Sequence, residues 1–337
     1  MRTLRLAVAG LGRLGFRHAE NVAFRLPGVE LAAVCSLNPQ ELERAAQAFP
    51  TAARYADFDQ MLRHDGLDGV VICTPSSLHV AQIEAALRAG LHVFSEKPLG
   101  VTAEECQHAE RVVAEHPNQV FLLGFMRRFD PHYLYAKRLI EEGRIGKPFL
   151  VRSYSLDPIA SLESVLRYIP HSGGLFLDMA VHDIDLANWY LGGSPVSAYA
   201  VGGSFSSPEF ARYGDADNAC LVLQYGGGEM AFIYAGRTAA HGYHIETEIV
   251  GTQGMLRVSS VPQKNLVQIF EGRGVLQECV GGFLERFEAA YLHELHEFVR
   301  CVRSGCQPEI TVHDGTLATR VALAATASFK ERRLVEL

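Results

Sequence analysis

Short apolar runs alternate with helical periodicity through the first 124 residues. Five runs, at residues 4–9, 30–36, 69–73, 91–94 and 119–124, have the length and continuous hydrophobicity of buried strands. Between them, apolar residues recur at the three- and four-residue spacing of amphipathic helices. This β/α alternation predicts that residues 1–124 form an α/β domain with a doubly wound parallel sheet.

The pattern changes after residue 125. Longer runs follow, and we interpret seven of them as strands, at residues 149–156, 196–205, 218–225, 229–236, 245–250, 255–258 and 267–270. The turn Gly226-Gly227-Gly228 is expected to join two of them as a hairpin. We therefore expect residues 125–337 to form an α+β domain with a large open, mostly antiparallel sheet.

Size and charge narrow the possible functions. A chain of 337 residues exceeds the ~250 to 300 residues at which single cores stop growing, which fits two domains. The 38 acidic and 31 basic residues give a net charge of −7 without any run of lysines or arginines, so nucleic acid and anionic membranes are poor partners. No membrane-spanning apolar window and no secretion signal are visible, so we expect a soluble protein.

The cysteines fit a reducing compartment. The chain has seven, none in a CxxC pair, and several lie inside apolar runs. This distribution is typical of reduced, structural thiols, so we expect a cytoplasmic protein. We interpret Cys301 and Cys306 as bystanders, because partner ligands are missing nearby, and no metal site is expected.

A glycine-rich loop joins the first strand to the first helix. Gly10 permits a tight turn, Gly12 lets the backbone approach a pyrophosphate, and Gly15 lets the helix and strand pack closely. The helix amino terminus would face the phosphate charge. An ordinary tight turn is the alternative, but the β/α units that follow favour a dinucleotide site. The expected cofactor residues here and after the 69–73 strand are Gly10, Gly12, Arg13, Leu14, Thr74, Pro75 and His79.

The end of the second strand bears on the choice between NAD and NADP. NAD-selective folds place an acid there, about twenty residues after the glycine loop, to bind the ribose hydroxyls. Here the position is Ser36, which removes the repulsion of a 2′-phosphate, yet Leu37-Asn38-Pro39 supplies no arginine to attract one. Arg13 could do so, although a solvated arginine is the simpler interpretation. We expect NAD(P), with NAD slightly favoured.

The 91–94 strand leads into Glu96-Lys97-Pro98. Ligands collect beyond the carboxyl ends of strands in doubly wound sheets, so Glu96 and Lys97 are expected at the cofactor site. In one interpretation, Lys97 pairs with Glu96 or contacts a ribose hydroxyl. In the other, Lys97 is a hydrogen-bond donor or proton shuttle to a substrate hydroxyl. The residues alone leave both interpretations open.

A polar stripe is expected between the strands of the second domain. Asp178, His182, Asp185 and Trp189 are spaced as i, i+4, i+7 and i+11, as on one face of a helix. The carboxylate of Asp178 can orient the imidazole of His182, which can exchange a proton with a substrate. The alternatives are a satisfied polar stripe or a metal pair, but a zinc site needs a third ligand and none stands out.

Four motifs in this order resemble the Gfo/Idh/MocA oxidoreductase family, with the inositol dehydrogenases as the most similar branch. They are the loop at residues 10–15, Thr74-Pro75 with His79, Glu96-Lys97-Pro98, and Gly173-Gly174 leading to Asp178 and His182. The resemblance covers nearly the whole chain. It implies a Rossmann domain followed by a domain whose open sheet forms the contacts of a homodimer or homotetramer.

The resemblance also implies an activity. It makes Lys97, Asp178 and His182 the catalytic set of an NAD(P)-dependent oxidoreductase that interconverts a secondary hydroxyl and a ketone on a cyclitol or sugar, most simply an inositol dehydrogenase. Arg127 is expected to line the polyol pocket. Asp157, His241 and Tyr243 are candidates, chosen by position, to bind the remaining hydroxyls.

Other functions stay open at this point. Ser36 departs from the branch, as does Tyr154-Ser155 where that branch tends to offer an imidazole, so the particular substrate is undetermined. The alternatives are another sugar dehydrogenase or reductase of the family, one variety of which holds its cofactor tightly and exchanges one sugar for another, and a non-catalytic, nucleotide-sensing regulator. A sensor has no need of Lys97, Asp178 and His182, so their presence favours an enzyme.

Overall fold

The five apolar runs of the first 124 residues, together with the short strand Ala53–Tyr55 that the apolar pattern did not predict, form a six-stranded parallel sheet. Its strands are Leu4–Ala9 (β1), Val29–Cys35 (β2), Ala53–Tyr55 (β3), Gly69–Ile72 (β4), His92–Glu96 (β5) and Phe121–Gly124 (β6). In the computed structural model, which describes residues 2–169, 172–259 and 262–337, their order is β3-β2-β1-β4-β5-β6. All pairings in this sheet are parallel. The expected Rossmann fold is confirmed, with its switch point between β1 and β4.

Helices connect these strands, and three of them begin with side-chain caps. They are Arg13–Phe24 (α1), Pro39–Ala48 (α2), Phe58–Leu62 (α3), His79–Arg88 (α4) and Ala103–Glu115 (α5). Asn38 and Asp57 accept hydrogen bonds from the first turns of α2 and α3. Thr102 and Glu105 form the capping box of α5.

The chain divides into two compact units. The first unit comprises Met1–Phe129 and Ala289–Thr319, and the second comprises Asp130–Glu288 and Arg320–Leu337. In the structure the first segment of the first unit ends at Phe129, and residues 289–319 are grouped with the parallel sheet rather than with the other residues that follow position 125. Helical periodicity predicts that such a segment is a helix without indicating which core it covers.

Packing explains this grouping. Residues Glu288–Ser304 form a long helix, which is α11 in chain order. Its Leu295 and Phe298 are fully buried in the same cluster as Leu6, Val8 and other apolar residues of the parallel sheet. The ring of Phe298 makes an edge contact with Phe94 of β5, with centroids 6.2 Å apart. Burying such side chains contributes roughly 1.5–3 kcal/mol each.

The second unit is built on a seven-stranded sheet. Its strands are Pro148–Pro158 (β7), Pro195–Gly203 (β8), Asn218–Tyr225 (β9), Met230–Ala239 (β10), His244–Gly251 (β11), Gly254–Val258 (β12) and Val335–Glu336, which is β15 after the hairpin strands described below. The order is β12-β11-β7-β10-β9-β8-β15. The pairing of β10 with β7 is parallel and the others are antiparallel, so the expected mostly antiparallel sheet is confirmed.

Alternation of side chains orients this sheet. Along β9 every second residue is buried, and the Gly226-Gly227-Gly228 turn connects β9 to β10 as expected. The helices of the unit are Pro131–Glu141 (α6), Leu162–Tyr168 (α7), Val181–Leu191 (α8), Glu209–Arg212 (α9) and Phe283–Arg286 (α10), together with Val312–Glu331 (α12), whose carboxyl-terminal part belongs to this unit. A separate hairpin, Gln263–Glu271 (β13) with Gly274–Cys279 (β14), is exposed. None of the helices in the described ranges could cross a membrane.

Candidate active site

The glycine loop of the first unit is shaped for a backbone-bound ligand. A Cβ atom on Gly10 would lie 2.4 Å from the carbonyl oxygen of Cys73, and one on Gly15 would lie 1.8 Å from that of Gly10. Gly12, in contrast, has open space within 4 Å of its Cβ position, and it precedes α1 without any side-chain cap. Open space at an uncapped helix start fits the pyrophosphate of a dinucleotide. Arg13 is exposed and Leu14 half-buried beside this opening.

A carboxylate lies at the end of β2 although the sequence position there is a serine. The Ser36 hydroxyl donates a hydrogen bond of 2.6 Å to Oε2 of Glu41 and accepts one of 3.0 Å from the Asn38 backbone N–H. Ser36 is buried and Glu41, in the first turn of α2, is half-buried. Sequence reasoning missed Glu41, because the residue lies five positions after the expected acid and becomes its neighbour only through the turn that Asn38 caps.

His79 links the ends of β4 and β5. The imidazole is buried, with Nδ1 at 2.7 Å from the Pro98 carbonyl oxygen and Nε2 at 2.9 Å from that of Thr74. Burial lowers its pKa, partly opposed by the two carbonyl groups. Each ring nitrogen thus lies within hydrogen-bonding distance of a backbone carbonyl oxygen. His79 therefore links the loops that carry Thr74-Pro75 and Lys97. The Thr74 hydroxyl donates to the Gln82 side chain at 2.5 Å.

Glu96 and Lys97 leave β5 in different surroundings. Glu96 is buried and its Oε1 lies 2.8 Å from Nε2 of His18, whereas Lys97 is half-buried. The peptide bond between Lys97 and Pro98 is cis. The Glu96 side chain thus contacts His18 inside the unit, and Lys97 directly follows the carboxyl end of β5, where ligands collect in doubly wound sheets.

A buried cluster surrounds Glu96. Nε2 of His18 lies 3.7 Å from Oε1 of Glu294 in α11, and ligand atoms of the three residues lie within 4.8 Å of one another. Burial, followed by the charge of Glu96, raises the pKa of Glu294 well above its usual range. Burial and the same two acids raise the pKa of the Cys73 thiol. Sequence reasoning missed this cluster, because Glu294 is distant in the chain and its helix was assigned to the other domain.

Arg127 lies in a short 3-10 helix, Met126–Phe129, that ends the first long segment of the first unit. Its side chain is buried, and the neighbouring Arg128 donates a hydrogen bond of 2.9 Å to Asp314. Arginines rarely lose this much solvent without partners.

Asp178 is held by two donors in the second unit. Its Oδ2 accepts hydrogen bonds of 2.9 Å from Nη2 of Arg237 and of 2.9 Å from the Tyr168 hydroxyl. The Arg237 side chain is fully buried. Burial lowers the pKa of this arginine, but its pairing with Asp178 and the influence of Tyr168 and Asp157 outweigh that effect and raise it. Burial and Asp178 also raise the pKa of Tyr168, so its hydroxyl stays a donor.

The expected helical stripe is interrupted at Asp178. Residues Phe176–Ala180 form a π-helix, and α8 starts only at Val181, so Asp178 and His182 do not share the continuous α-helical spacing that the stripe assumed. The wider π turn has i→i+5 hydrogen bonds, which changes the angle between residues four positions apart. His182 and Asp185 do lie on α8, and both are buried. π-Helical turns occur frequently at functional sites.

The three residues chosen by position have different surroundings. Asp157 is half-buried near the end of β7, close enough to Arg237 to influence it electrostatically. His241 is exposed, and its Nε2 lies 3.2 Å from Nδ1 of His244. Tyr243 is buried with its ring against Phe287, at 6.4 Å between centroids. In the described part of the second unit, Asp157 therefore lies near the ion pair of Asp178 with Arg237. His241 contacts His244, and Tyr243 contacts Phe287.

Comparison with protein families identifies both units. Residues 4–124 match an oxidoreductase family described as an NAD-binding Rossmann fold, and residues 133–257 match the GFO/IDH/MocA C-terminal domain. Together, these two matches cover most of the chain.

Two relatives match over nearly their full length. A scyllo-inositol 2-dehydrogenase (NAD(+)) of Bacillus subtilis (strain 168) is 36% identical over 99% of this chain and 96% of its own. A myo-inositol 2-dehydrogenase of Thermotoga maritima is 32% identical over 99% of this chain and 98% of its own.

Two solved structures also match nearly the whole chain. The scyllo-inositol dehydrogenase from Lactobacillus casei, with bound cofactor NAD(H) and scyllo-inositol, is 42% identical over 99% of each chain, with a TM-score of 0.96. The myo-inositol 2-dehydrogenase from Lactobacillus plantarum has a TM-score of 0.97 at 38% identity over 100% of both chains. The chain therefore belongs to the Gfo/Idh/MocA family of oxidoreductases.

Proposed function

We propose that this protein is an NAD-dependent inositol dehydrogenase, which oxidises a secondary hydroxyl of a cyclitol to a ketone. The observation that carries the proposal is the 42% identity, over 99% of each chain, to a scyllo-inositol dehydrogenase structure that contains NAD(H) and scyllo-inositol. The open space at Gly12 and the uncapped start of α1 support a dinucleotide.

We assign the cofactor to the edge of the parallel sheet at the carboxyl ends of its strands. Gly10, Gly12, Arg13 and Leu14 would bind the pyrophosphate with the start of α1, and Ser36 would face the adenosine ribose. Thr74, Pro75, Glu96 and Lys97 would contact or support the nicotinamide half, while the buried His79 would orient their loops. When bound, the nicotinamide supplies the acceptor for the hydride that leaves the substrate carbon.

The proposed catalytic residues are Lys97, Asp178 and His182. The imidazole of His182 would take the proton of the substrate hydroxyl, and Nζ of Lys97 would donate a hydrogen bond to the same oxygen. Asp178 would stabilise the imidazolium, and its own position is supported by Arg237 and Tyr168. Such proton transfers typically contribute ~10² to 10⁴-fold in rate.

The remaining hydroxyls of the polyol are assigned to Arg127, Asp157, His241 and Tyr243. Arg127 and Asp157 are supported by burial and by charge near Asp178, respectively. His241 and Tyr243 rest on their chain position alone. No metal is part of the proposed mechanism, because hydride and proton transfer are assigned to groups that need none.

A substrate panel tests the function. Purified protein would be mixed with NAD⁺ or NADP⁺ and with scyllo-inositol, myo-inositol, D-chiro-inositol or glucose, and formation of the reduced nicotinamide would be followed by absorbance. Oxidation of at least one inositol with NAD⁺ supports the proposal. Binding of NAD⁺ without oxidation of any inositol overturns it.

We further propose a cytoplasmic homodimer or homotetramer assembled through the sheet of the second unit. The support is an exposed apolar face on β8 and β9, where Val196, Tyr199, Val201 and Val222 are each between 41% and 50% exposed. Seven free cysteines fit a reducing compartment. Light scattering after size exclusion tests the assembly, and activity in the cytosolic fraction of the source cells tests the location.

A further inference from the structure

The end of β2 and the glycine loop form one continuous surface in the first unit. The Gly10 backbone N–H donates a hydrogen bond of 2.8 Å to the carbonyl oxygen of Cys35, the last residue of β2. Nη2 of Arg44, on α2, donates at 2.9 Å to the carbonyl oxygen of Leu11. A dinucleotide whose pyrophosphate lies at the glycine loop therefore has its adenosine ribose near Ser36 and the start of α2.

The carboxylate of Glu41 has a fixed place on that surface. It receives the Ser36 hydroxyl at 2.6 Å, and Asn38 caps the same helix turn through a 3.0 Å bond from the Gln40 N–H. A negative charge in the first turn of a helix is stabilised by the helix dipole. The Ser36 bond involves Oε2, and within residues 2–169, 172–259 and 262–337 Glu41 accepts no second side-chain hydrogen bond.

Two other charged side chains, Asp57 and Arg44, lie near this strand end. Burial and the carboxylate of Asp57 raise the pKa of the Cys35 thiol to about 11, which indicates a second acid beside β2. The guanidinium of Arg44 lies 3.7 Å from the centroid of the Phe16 ring and is directed to the glycine loop by its bond to Leu11. The side chain that accepts the Ser36 hydroxyl is a carboxylate.

From this geometry we propose that Glu41, positioned by Ser36, selects NAD over NADP. The carboxylate accepts hydrogen bonds from the adenosine ribose hydroxyls, as an acid at the end of β2 does in other Rossmann folds. The 2′-phosphate of NADP carries a charge of about −1.5 to −2, so the neighbouring Glu41 carboxylate repels it. The inference rests on the proposed use of a nicotinamide dinucleotide and adds the residue that discriminates.

Binding measurements test the proposal without turnover. Dissociation constants of NAD⁺ and NADP⁺, and of the fragments 5′-AMP and 2′,5′-ADP, would be measured by calorimetry for the wild type and Glu41→Gln. Hydrogen bonds to charged groups change affinity by about tenfold to a hundredfold, so we expect the wild-type preference for NAD⁺ to fall by that factor in Glu41→Gln. The fragments should show the same change, since they contain the discriminating group.

Two further variants complete the test. Glu43→Gln removes one negative charge from the exposed side of the same helix and should leave the preference unchanged. Ser36→Ala keeps Glu41 but removes its hydrogen bond, so we expect an intermediate loss of preference. Melting temperatures check that each variant is folded.

The outcomes separate this inference from the proposed function. An unchanged ratio of NAD⁺ to NADP⁺ affinity in Glu41→Gln overturns the role of Glu41 while leaving the dehydrogenase intact. An equal change in Glu43→Gln also overturns it, because the effect would then come from net charge. A wild type that binds neither dinucleotide contradicts the proposed function itself.

Discussion

Nη2 of the fully buried Arg237 donates a 2.9 Å hydrogen bond to Oδ2 of Asp178, which joins strand β10 to the π-helix that precedes α8. The Tyr168 hydroxyl donates to the same oxygen at 2.9 Å. A carboxylate with two donors on one oxygen has little freedom to rotate. The turn that leads to His182 is therefore anchored at the residue proposed to stabilise its imidazolium.

Arg237→Met tests this anchor. Removing one partner of a buried ion pair leaves the other uncompensated, so we expect the free energy of unfolding to fall by about 3–5 kcal/mol, with a loss of turnover. Tyr168→Phe removes one hydrogen bond and should cost about 1 kcal/mol. Urea unfolding of both variants measures the difference. A Tyr168→Phe variant as unstable as Arg237→Met would contradict the dominance of the ion pair.

Lys97→Ala and His182→Ala test the proposed proton transfer. Each should lower kcat by about a hundredfold or more while NAD⁺ affinity is kept, because proton-handling groups act mainly in the transition state. Stopped-flow or steady-state absorbance measures kcat, and calorimetry measures NAD⁺ affinity. Lys264→Ala and His313→Ala are matched controls, since both side chains are more than half exposed. Near-normal kcat in both active-site variants would exclude the mechanism.

The Rossmann sheet was predictable because its signals are local. Continuous apolar runs, a glycine loop and capping residues such as Thr102 with Glu105 act within a few residues, and the structure confirms them. The antiparallel sheet was also predictable from alternation and from its glycine turn. Strands β3, β14 and β15 were missed. Strands β3 and β15 have only three and two residues, and β14 lies in an exposed hairpin that has little need of an apolar pattern.

Partners brought together by the fold were not predictable. Arg237 lies in an apolar strand 59 positions from Asp178, where a single arginine would ordinarily be interpreted as exposed. Glu294 lies on α11, and helical periodicity alone does not indicate that this helix packs on the parallel sheet. The π turn at Asp178 leaves the i, i+4 spacing unchanged in the sequence while altering it in space.

The two thiols at the end of α11 should react differently. Hydrogen bonding with Ser304, followed by that with Cys301, lowers the pKa of Cys306, whereas burial raises the pKa of Cys301 to about 12. Since the thiolate is the nucleophile, iodoacetamide at neutral pH should modify Cys306 before Cys301. Mass spectrometry of peptides after timed labelling measures the order, and Cys306→Ser should remove the faster site. Labelling of Cys301 first would contradict this assignment.

Glu294→Gln is expected to stabilise the protein at neutral pH. Burial and the charge of Glu96 raise the folded-state pKa of Glu294, so the folded state retains a proton that the unfolded chain loses above its own pKa of about 4.3. Stability from this group is complete below that pH and declines by up to about 1.4 kcal/mol per pH unit until the folded-state pKa is reached. Glutamine imitates the protonated acid and does not titrate, so the variant should gain over the wild type as pH rises from 5 to 8.

Glu297→Gln provides a control of opposite sign on the same helix. A hydrogen bond from Arg300 lowers the pKa of Glu297, so its stabilising contribution is present above the unfolded-state pKa and is lost as pH falls through the folded-state value. We expect Glu297→Gln to be less stable than the wild type at neutral pH, with the difference shrinking in acid. Urea unfolding at several pH values measures both series. If the Glu294→Gln and wild-type curves stay parallel from pH 5 to 8, Glu294 is ionised in the folded protein, and the buried cluster must hold its charge by other means.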